Sequence, residues 1–269
     1  IIAVTGSAGK TSLKNLIKDL LQNFGNTYSS PKSYNNHLGV PVSLSNLNLS
    51  NKFGIFEIGM SKSGEIRNLS KLVRPHIGII TNIGEAHLEN FNNINGIAKA
   101  KSELLENIED GGRIILNRDD KFFNYLYKKA KFYNLKISTF GKHKNSDVRL
   151  EKVIKKDCNS KILISIDNKK IYLEIGELNI YNVLASITVL KDLKINLKKI
   201  KSKFKKIELS EGRGKKHDIL RYKRKFKLID ESYNANPLSV KNAIRNLGMI
   251  KKEKFKKYLI LGDMLELGQ

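Results

Sequence analysis

The chain has 269 residues, of which 40% are hydrophobic and 28% charged, and its formal net charge is +24. That length suffices for one large domain or two smaller ones with real cores, and no apolar run is long enough to span a bilayer. The lone cysteine, Cys158, excludes an internal disulfide and fits a reducing compartment.

The positive charge has two readings. One is a nucleic-acid or anion binder. The other is a compositional bias in which lysines cover solvated faces. The densest basic stretches, "LKKIKSKFKKIEL" and "MIKKEKFKKYLI", interleave Lys with apolar residues and carry no aromatic-rich RNA-binding signature.

Along the chain, "IIAVT" reads as a strand and "TSLKNLIKDLLQNF" as an amphipathic helix, with Leu13, Leu16, Ile17, Leu20 and Leu21 at helical spacing. "FGIFEIG" is a second buried strand. "GEIRNLSKLV" is helical and stops before Arg74-Pro75, because a residue preceding proline avoids the helical region. "IGIITNI" reads as a strand, "INGIAKAKSELLENI" as a helix, "GRIILN" as a strand, "DDKFFNYLYKKAKFY" as a helix and "KISTFG" as a strand. Such alternation predicts an α/β fold: a mostly parallel, P-loop-type sheet with helices on both faces. From Asp147 the pattern changes. "DVRLEKVIKKD", "KILISID" and "KKIYLEI" alternate as strands and predict a small antiparallel addition. Helices resume in "NIYNVLASITVLKDL" and "NLKKIKSKF". Beyond the polar connection "LSEGRGKKHD" come strands "HDILRY" and "FKLIDESY", helix "PLSVKNAIRNLGMI" and strand "KYLILGDM". A domain boundary is expected near Ser210 to Gly214. The chain opens inside one strand and stops just after another, so a piece of a longer protein is expected.

"AVTGSAGKTS" sits between the first strand and the first helix. The common phosphate loop is G-x-x-x-x-G-K-[ST]; here Gly6-Ser7-Ala8-Gly9-Lys10-Thr11 is two residues shorter. Its glycines still let backbone N–H groups approach an anion, and the helix N-terminus adds partial positive charge. Lys10 suits terminal phosphate oxygens, and the Thr11 hydroxyl suits Mg²⁺. Glu57 ends an apolar strand, where an acid is costly unless it meets a cation and where ligands bind in doubly wound sheets. His87, flanked by Glu85 and Glu89, follows the third strand as a possible second metal ligand. Lys99 and Lys101 lie on the next helix; a lysine serves a cation only once carbamylated, and exposed helix lysines are the plainer reading.

As a set, these residues resemble the Mur ligase family, the ATP-dependent amide-forming ligases of peptidoglycan synthesis. The loop "TGSAGKT" is typical of that family and of folylpolyglutamate synthase. "YNNHLGVP" (34–41), "ESYNANP" (231–237), "LGDMLELG" (261–268) and "AHLENF" look like the branch that adds D-alanyl-D-alanine to a UDP-N-acetylmuramoyl tripeptide. The resemblance implies ATP and Mg²⁺ as cofactors, a cytoplasmic monomer, and neither nucleic acid nor membrane as partner. It implies a central ATP-binding domain over residues 1–210 and the first part of a C-terminal Rossmann-like domain over 211–269. Thr5, Gly6, Ser7, Ala8, Gly9, Lys10, Thr11 and Ser12 match the ATP-phosphate loop. Asn82, Asn179, Asn182, Arg213 and Glu231 match further nucleotide contacts. Asn35, Asn36, Tyr233, Asn234 and Asn236 match substrate positions. Thr11, Glu57, His87 and a carbamylated Lys101 match the metal site, and Lys10, Lys101 and His87 the catalytic set. Two departures stand out: Leu178 where the family often has His, and Glu231 where it usually has Asp. Another Mur ligase, a folylpolyglutamate synthase-like ligase, and a nucleic-acid-stimulated P-loop ATPase remain as alternatives.

Overall fold

The computed structural model of the chain describes residues 1–86, 88–156, 159–250 and 256–264. His87 and Cys158 therefore lie outside the described residues. Strands β1 (Ile2–Thr5), β2 (Thr27–Ser29), β3 (Phe53–Glu57), β4 (Ile77–Ile80), β5 (Arg113–Asn117) and β6 (Lys136–Gly141) alternate with helices α1 (Lys10–Leu21), α2 (Gly39–Ser45), α3 (Glu65–Val73), α4 (Ile94–Ser102) and α5 (Phe123–Phe132). The strands build one sheet in the order β2-β3-β1-β4-β5-β6, all neighbours parallel. It continues without a break through β7 (Val148–Lys156), β8 (Asn159–Ile166) and β9 (Lys169–Glu174); β7 joins β6 in parallel, and β8 and β9 then add antiparallel. The antiparallel addition is thus an extension of the main sheet's edge.

Side-chain alternation along each strand divides the core into two layers. Ile2, Val4, Ile55, Ile79 and Ile115 face α1 and α6 (Ile180–Asp192), meeting Leu13, Leu16, Ile17 and Leu184. Ala3, Phe56, Ile80, Ile114 and Leu116 face the other way, toward Ile66 and Leu69 of α3, Ile97 of α4 and Leu126 of α5. Each such side chain contributes about 1.5–3 kcal/mol by leaving water. Helix α6 is buried all along Asn182–Leu190, as expected of a helix apolar on every side. Helix α3 ends as expected, with Arg74 in the left-handed region at φ 46° ahead of Pro75.

After α6 the chain forms a separate two-stranded hairpin, β10 (Lys215–Arg221) with β11 (Arg224–Asp230), and then α7 (Pro237–Gly248). Tyr222 and Lys223 turn the hairpin with φ of 51° and 57°, and Asp167 and Asn168 turn β8 into β9 with 47° and 63°, the sign pair of a two-residue hairpin turn. Glu211, His217 and Asp230 bring ligand atoms within 4.8 Å of one another at the hairpin's base. Lys215 and the backbone N–H groups of Gly212 and Ser232 already engage both carboxylates, so the group serves as a polar knot.

Two expected elements differ. "NLKKIKSKF" forms two short 3-10 turns, Leu197–Lys199 and Lys201–Lys203, instead of an α-helix. Four lysines crowd this stretch without an acid among them, and like charges one turn apart destabilise a helix; the turns still bury Ile200 and Phe204. "KYLILGDM" forms no ladder: no described strand pairs with residues 256–264, and Ile260 is 92% exposed. β2 and α2, by contrast, escape the sequence pattern; β2 is only three residues long, and α2 carries Pro41 in its first turn.

Candidate active site

The C-terminal ends of β1, β3 and β4 open at one edge of the sheet. From β1 the chain enters the 6–9 turn, in which Gly6 has φ 148° and Gly9 has φ 82°. A Cβ on Gly6 would lie 1.9 Å from Thr81 Oγ1, so glycine is required there by space as well as by backbone angle. The segment after β4 braces the turn. Ser7 N–H donates to the Asn82 carbonyl at 3.0 Å, and Ala8 N–H donates to Asn82 Oδ1 at 2.9 Å. Thr81 Oγ1 and Asn82 Nδ2 both donate to the Ala8 carbonyl. Ser7 Oγ donates to the Gly84 carbonyl and accepts from Gly84 N–H. Asp120 in turn holds Ile83 N–H. Asn182 Nδ2 donates to the Gly9 carbonyl at 3.3 Å, while Asn179 caps α6 by accepting from Asn182 N–H. The short loop is thus a rigid cradle at the start of α1, and Lys10 Nζ closes it on the Gly6 carbonyl at 3.0 Å.

Glu57, at the end of β3, is 1% exposed. Asn35 Nδ2 donates to its Oε1 at 2.7 Å, but Oε2 is buried without a partner. Lys10 and Lys101 are near enough for their charges to disfavour one another. Burial lowers the pKa of Lys10; Glu57 opposes that shift and Arg213 adds to it. Burial, followed by repulsion from Lys10, pushes Lys101 well below the ordinary lysine range. Lys101 is 2% exposed and has no hydrogen bond or ion pair among the described residues. Lys14, one turn beyond Lys10, is also buried; desolvation brings it to about 8, with Glu57 opposing the shift and Lys18 and Arg213 adding to it.

The segment beyond α6 reaches back to this cradle. Arg213 donates to Thr11 Oγ1 at 3.2 Å and stacks on Tyr233, 4.1 Å from the ring centre. Tyr233 OH donates to Ser33 Oγ at 2.7 Å, and Ser33 Oγ lies 3.1 Å from Thr11 Oγ1. Asn236 caps α7 and extends Nδ2 to the Ser7 carbonyl at 3.4 Å. Among the described residues, Thr5 Oγ1, Glu57 Oε2 and Arg213 Nε are buried polar atoms without partners. Arg213 reaches the cradle through Thr11 and Glu57 acts on Lys10 by its charge, whereas two further orphans, Ser146 Oγ and Asp192 Oδ2, lie elsewhere. Buried orphans beside such a cradle mark a place shaped for a polar ligand.

The predicted residues divide accordingly. The cradle residues, Asn35, Glu57, Asn82, Lys101, Asn182, Arg213, Tyr233 and Asn236 come together. Ser12 lies in the first turn of α1, half-buried. Asn36 Oδ1 accepts from Gly39 N–H at the start of α2. Among the described residues Asn234 accepts only from Ala235 N–H, and Glu231 lies beside the Gly214 turn. Ser33, Thr81 and Lys14 escape sequence reading. Each is a common residue in no motif, placed by the tertiary fold alone.

Residues 4–190 match the family model of the Mur ligase middle domain. The chain belongs to the Mur ligase family. UDP-N-acetylmuramoyl-tripeptide–D-alanyl-D-alanine ligase of Buchnera aphidicola (subspecies Baizongia pistaciae) is 35% identical over 272 residues, covering 100% of this chain and 57% of the relative. The enzyme of the same name from Escherichia coli K12 is 29% identical and covers 100% of the chain and 58% of its own length. A crystal structure of MurF from Acinetobacter baumannii superposes with a TM-score of 0.90 at 29% identity, covering 99% of this chain and 57% of that one. MurF from Thermotoga maritima in complex with ADP gives 0.87 at 25% identity, covering 99% and 60%. The chain therefore spans somewhat over half the length of these Mur ligases. No helix among the described residues is long and apolar enough to cross a membrane.

Proposed function

We propose that the protein is an ATP-dependent ligase that joins D-alanyl-D-alanine to a UDP-N-acetylmuramoyl tripeptide in peptidoglycan precursor synthesis. The observation that supports this reading is the short phosphate loop with Lys10 at the start of its helix. The Lys10 charge is felt by the buried Lys101 and, with opposite sign, meets that of the buried Glu57, one of whose carboxylate oxygens has no partner among the described residues. The names of the full-length relatives support the choice of substrates.

In this reading the tripeptide carboxylate attacks the terminal phosphorus of ATP, ADP leaves, and an acyl phosphate forms. The D-alanyl-D-alanine amine then attacks the acyl carbon, an amide forms, and phosphate and a proton leave. A free carboxylate resists the amine, and phosphorylation supplies the leaving group. The chief obstacle is the approach of two anions, so positioning and charge stabilisation do most of the catalysis. Lys10 and the N–H groups at the start of α1 hold the phosphates, those of Ser7 and Ala8 being tied to Asn82. Arg213 and Tyr233 cover them, and Asn182 and Asn82 keep the loop in shape. Asn179 and Glu231 take the remaining nucleotide contacts. Asn35, Asn36, Asn234 and Asn236 border the acceptor. Thr11, Glu57, His87 and Lys101 as its carbamate suit a magnesium ion; the orphaned Glu57 Oε2 fits one, and such an ion supplies charge neutralisation. Neutral Lys101 can attack CO₂, losing a proton to become that anionic ligand. We also assign residues 1–210 to the ATP-binding domain and 211–269 to the ligase domain's first part, and place the protein in the cytoplasm as a monomer.

The test is ADP release by the full-length protein with each substrate offered in turn. Release that requires both the UDP-muramoyl tripeptide and D-alanyl-D-alanine is expected. Release driven by other amino acids, or by nucleic acid, would refute the assignment.

A further inference from the structure

Between β2 and α2 the chain crosses the mouth of the candidate site as the segment 30–36. Ser33 of this segment contacts Thr11 and Tyr233, and Asn35 contacts Glu57. Two ties to β3 and its exit hold its backbone. Ser30 N–H donates to the Ile55 carbonyl, and Gly59 N–H donates to the Asn35 carbonyl. Between those ties, Lys32 takes the left-handed conformation at φ 43°, which costs energy for a residue with a side chain. The carbonyls of Ser30 and Lys32 turn inward, and the buried Lys14 ammonium donates to both. Lys14 stands three and four residues beyond Thr11 and Lys10 on α1, hence on the same helix face.

We propose that Lys14 is a positioning residue that pins the 30–36 segment to the phosphate-loop helix, so that occupants of the nucleotide cradle and the acceptor side share one scaffold. Burying an ammonium 1% exposed is costly; here two inward carbonyls and the field of Glu57 offset that cost, and a neutral side chain of this length would leave both carbonyls unpaired. Lys18 and Arg213 are the other charges facing it.

The experiment compares wild type with Lys14→Met in the full-length protein. Amide hydrogen exchange at Tyr34 and Gly59 is expected to quicken by at least about tenfold, the low end for losing hydrogen bonds to a charged group, with the interior of α1 unchanged. Unchanged exchange at both amides would overturn the proposal, whatever the enzyme's reaction proves to be. The kinetic arm rests on the function proposed above. There the KM for the UDP-muramoyl tripeptide is expected to rise by about tenfold while the KM for ATP stays within about twofold; equal rises in both would count against a positioning role. Should Lys14→Met not fold, reductive methylation of the wild type decides. Lys14 is expected to stay unmodified while Lys32 reacts, and ready methylation of Lys14 would overturn the proposal.

Discussion

Lys101 is a buried amine with no counter-ion among the described residues, and Lys10 lies close enough to repel its proton. Both effects favour the neutral base, which is the form that reacts with CO₂. Lys101→Ala is therefore expected to be inactive in ADP release and partly restored by short-chain carboxylic acids, which would return an anionic oxygen to the space. Full activity of the variant without added acid would remove the carbamate from the scheme. Lys10 differs, because its ammonium rests on the Gly6 carbonyl and, under the proposed function, neutralises phosphate charge at the moment of transfer. Losing one such contact costs about 2.7–4 kcal/mol of barrier, so Lys10→Ala should release ADP at roughly one hundredth of the wild-type rate or less. A rate within a few-fold of wild type would show that Lys10 holds the turn without touching phosphate.

The turn between β1 and α1 is legible in sequence because its constraints are local: glycine spacing, a preceding strand and a following helix. Its partner is not. The Thr81 hydroxyl that fills the space beside Gly6 comes from another strand end, and nothing in "TNIGEA" announces it. Gly6→Ala should accordingly lower the melting temperature and abolish nucleotide binding together. Adding Thr81→Ala should recover part of the stability, because the closest clash is with Thr81 Oγ1. Recovery of none would place the strain in the backbone angle alone. The same contrast of local and remote causes explains the other elements. α1, α3 and the hairpin turns follow from periodicity, Pro75 and turn chemistry. The lysine-rich 197–203 stretch has helix spacing but lacks the acids that would let it wind, and 257–264 has a strand's composition without a neighbour to pair with among the described residues. Glu57 was readable because an acid closing an apolar strand needs a reason. Ser33 and Lys14 were not, because only the fold shows what they touch.

Across the chain the charge of +24 is spread over solvated lysines, and the nucleotide and UDP-linked substrates of the proposed reaction are anions. Such a field attracts them over distances comparable to the Debye length, about 8 Å at physiological salt. The KM for the UDP-muramoyl tripeptide should rise several-fold between about 0.05 M and 0.5 M salt while kcat holds nearly constant; a flat KM would make the lysines a compositional habit without kinetic effect. The contact of Arg213 with Thr11 has a consequence of its own. The guanidinium donates to the very oxygen that the cation of the proposed scheme would claim, so in that scheme the cation and this contact compete. Under that scheme the β-ribbon that follows Arg213 is expected to shift when the cation binds, and a fluorophore pair across the joint whose distance stays constant would refute the competition.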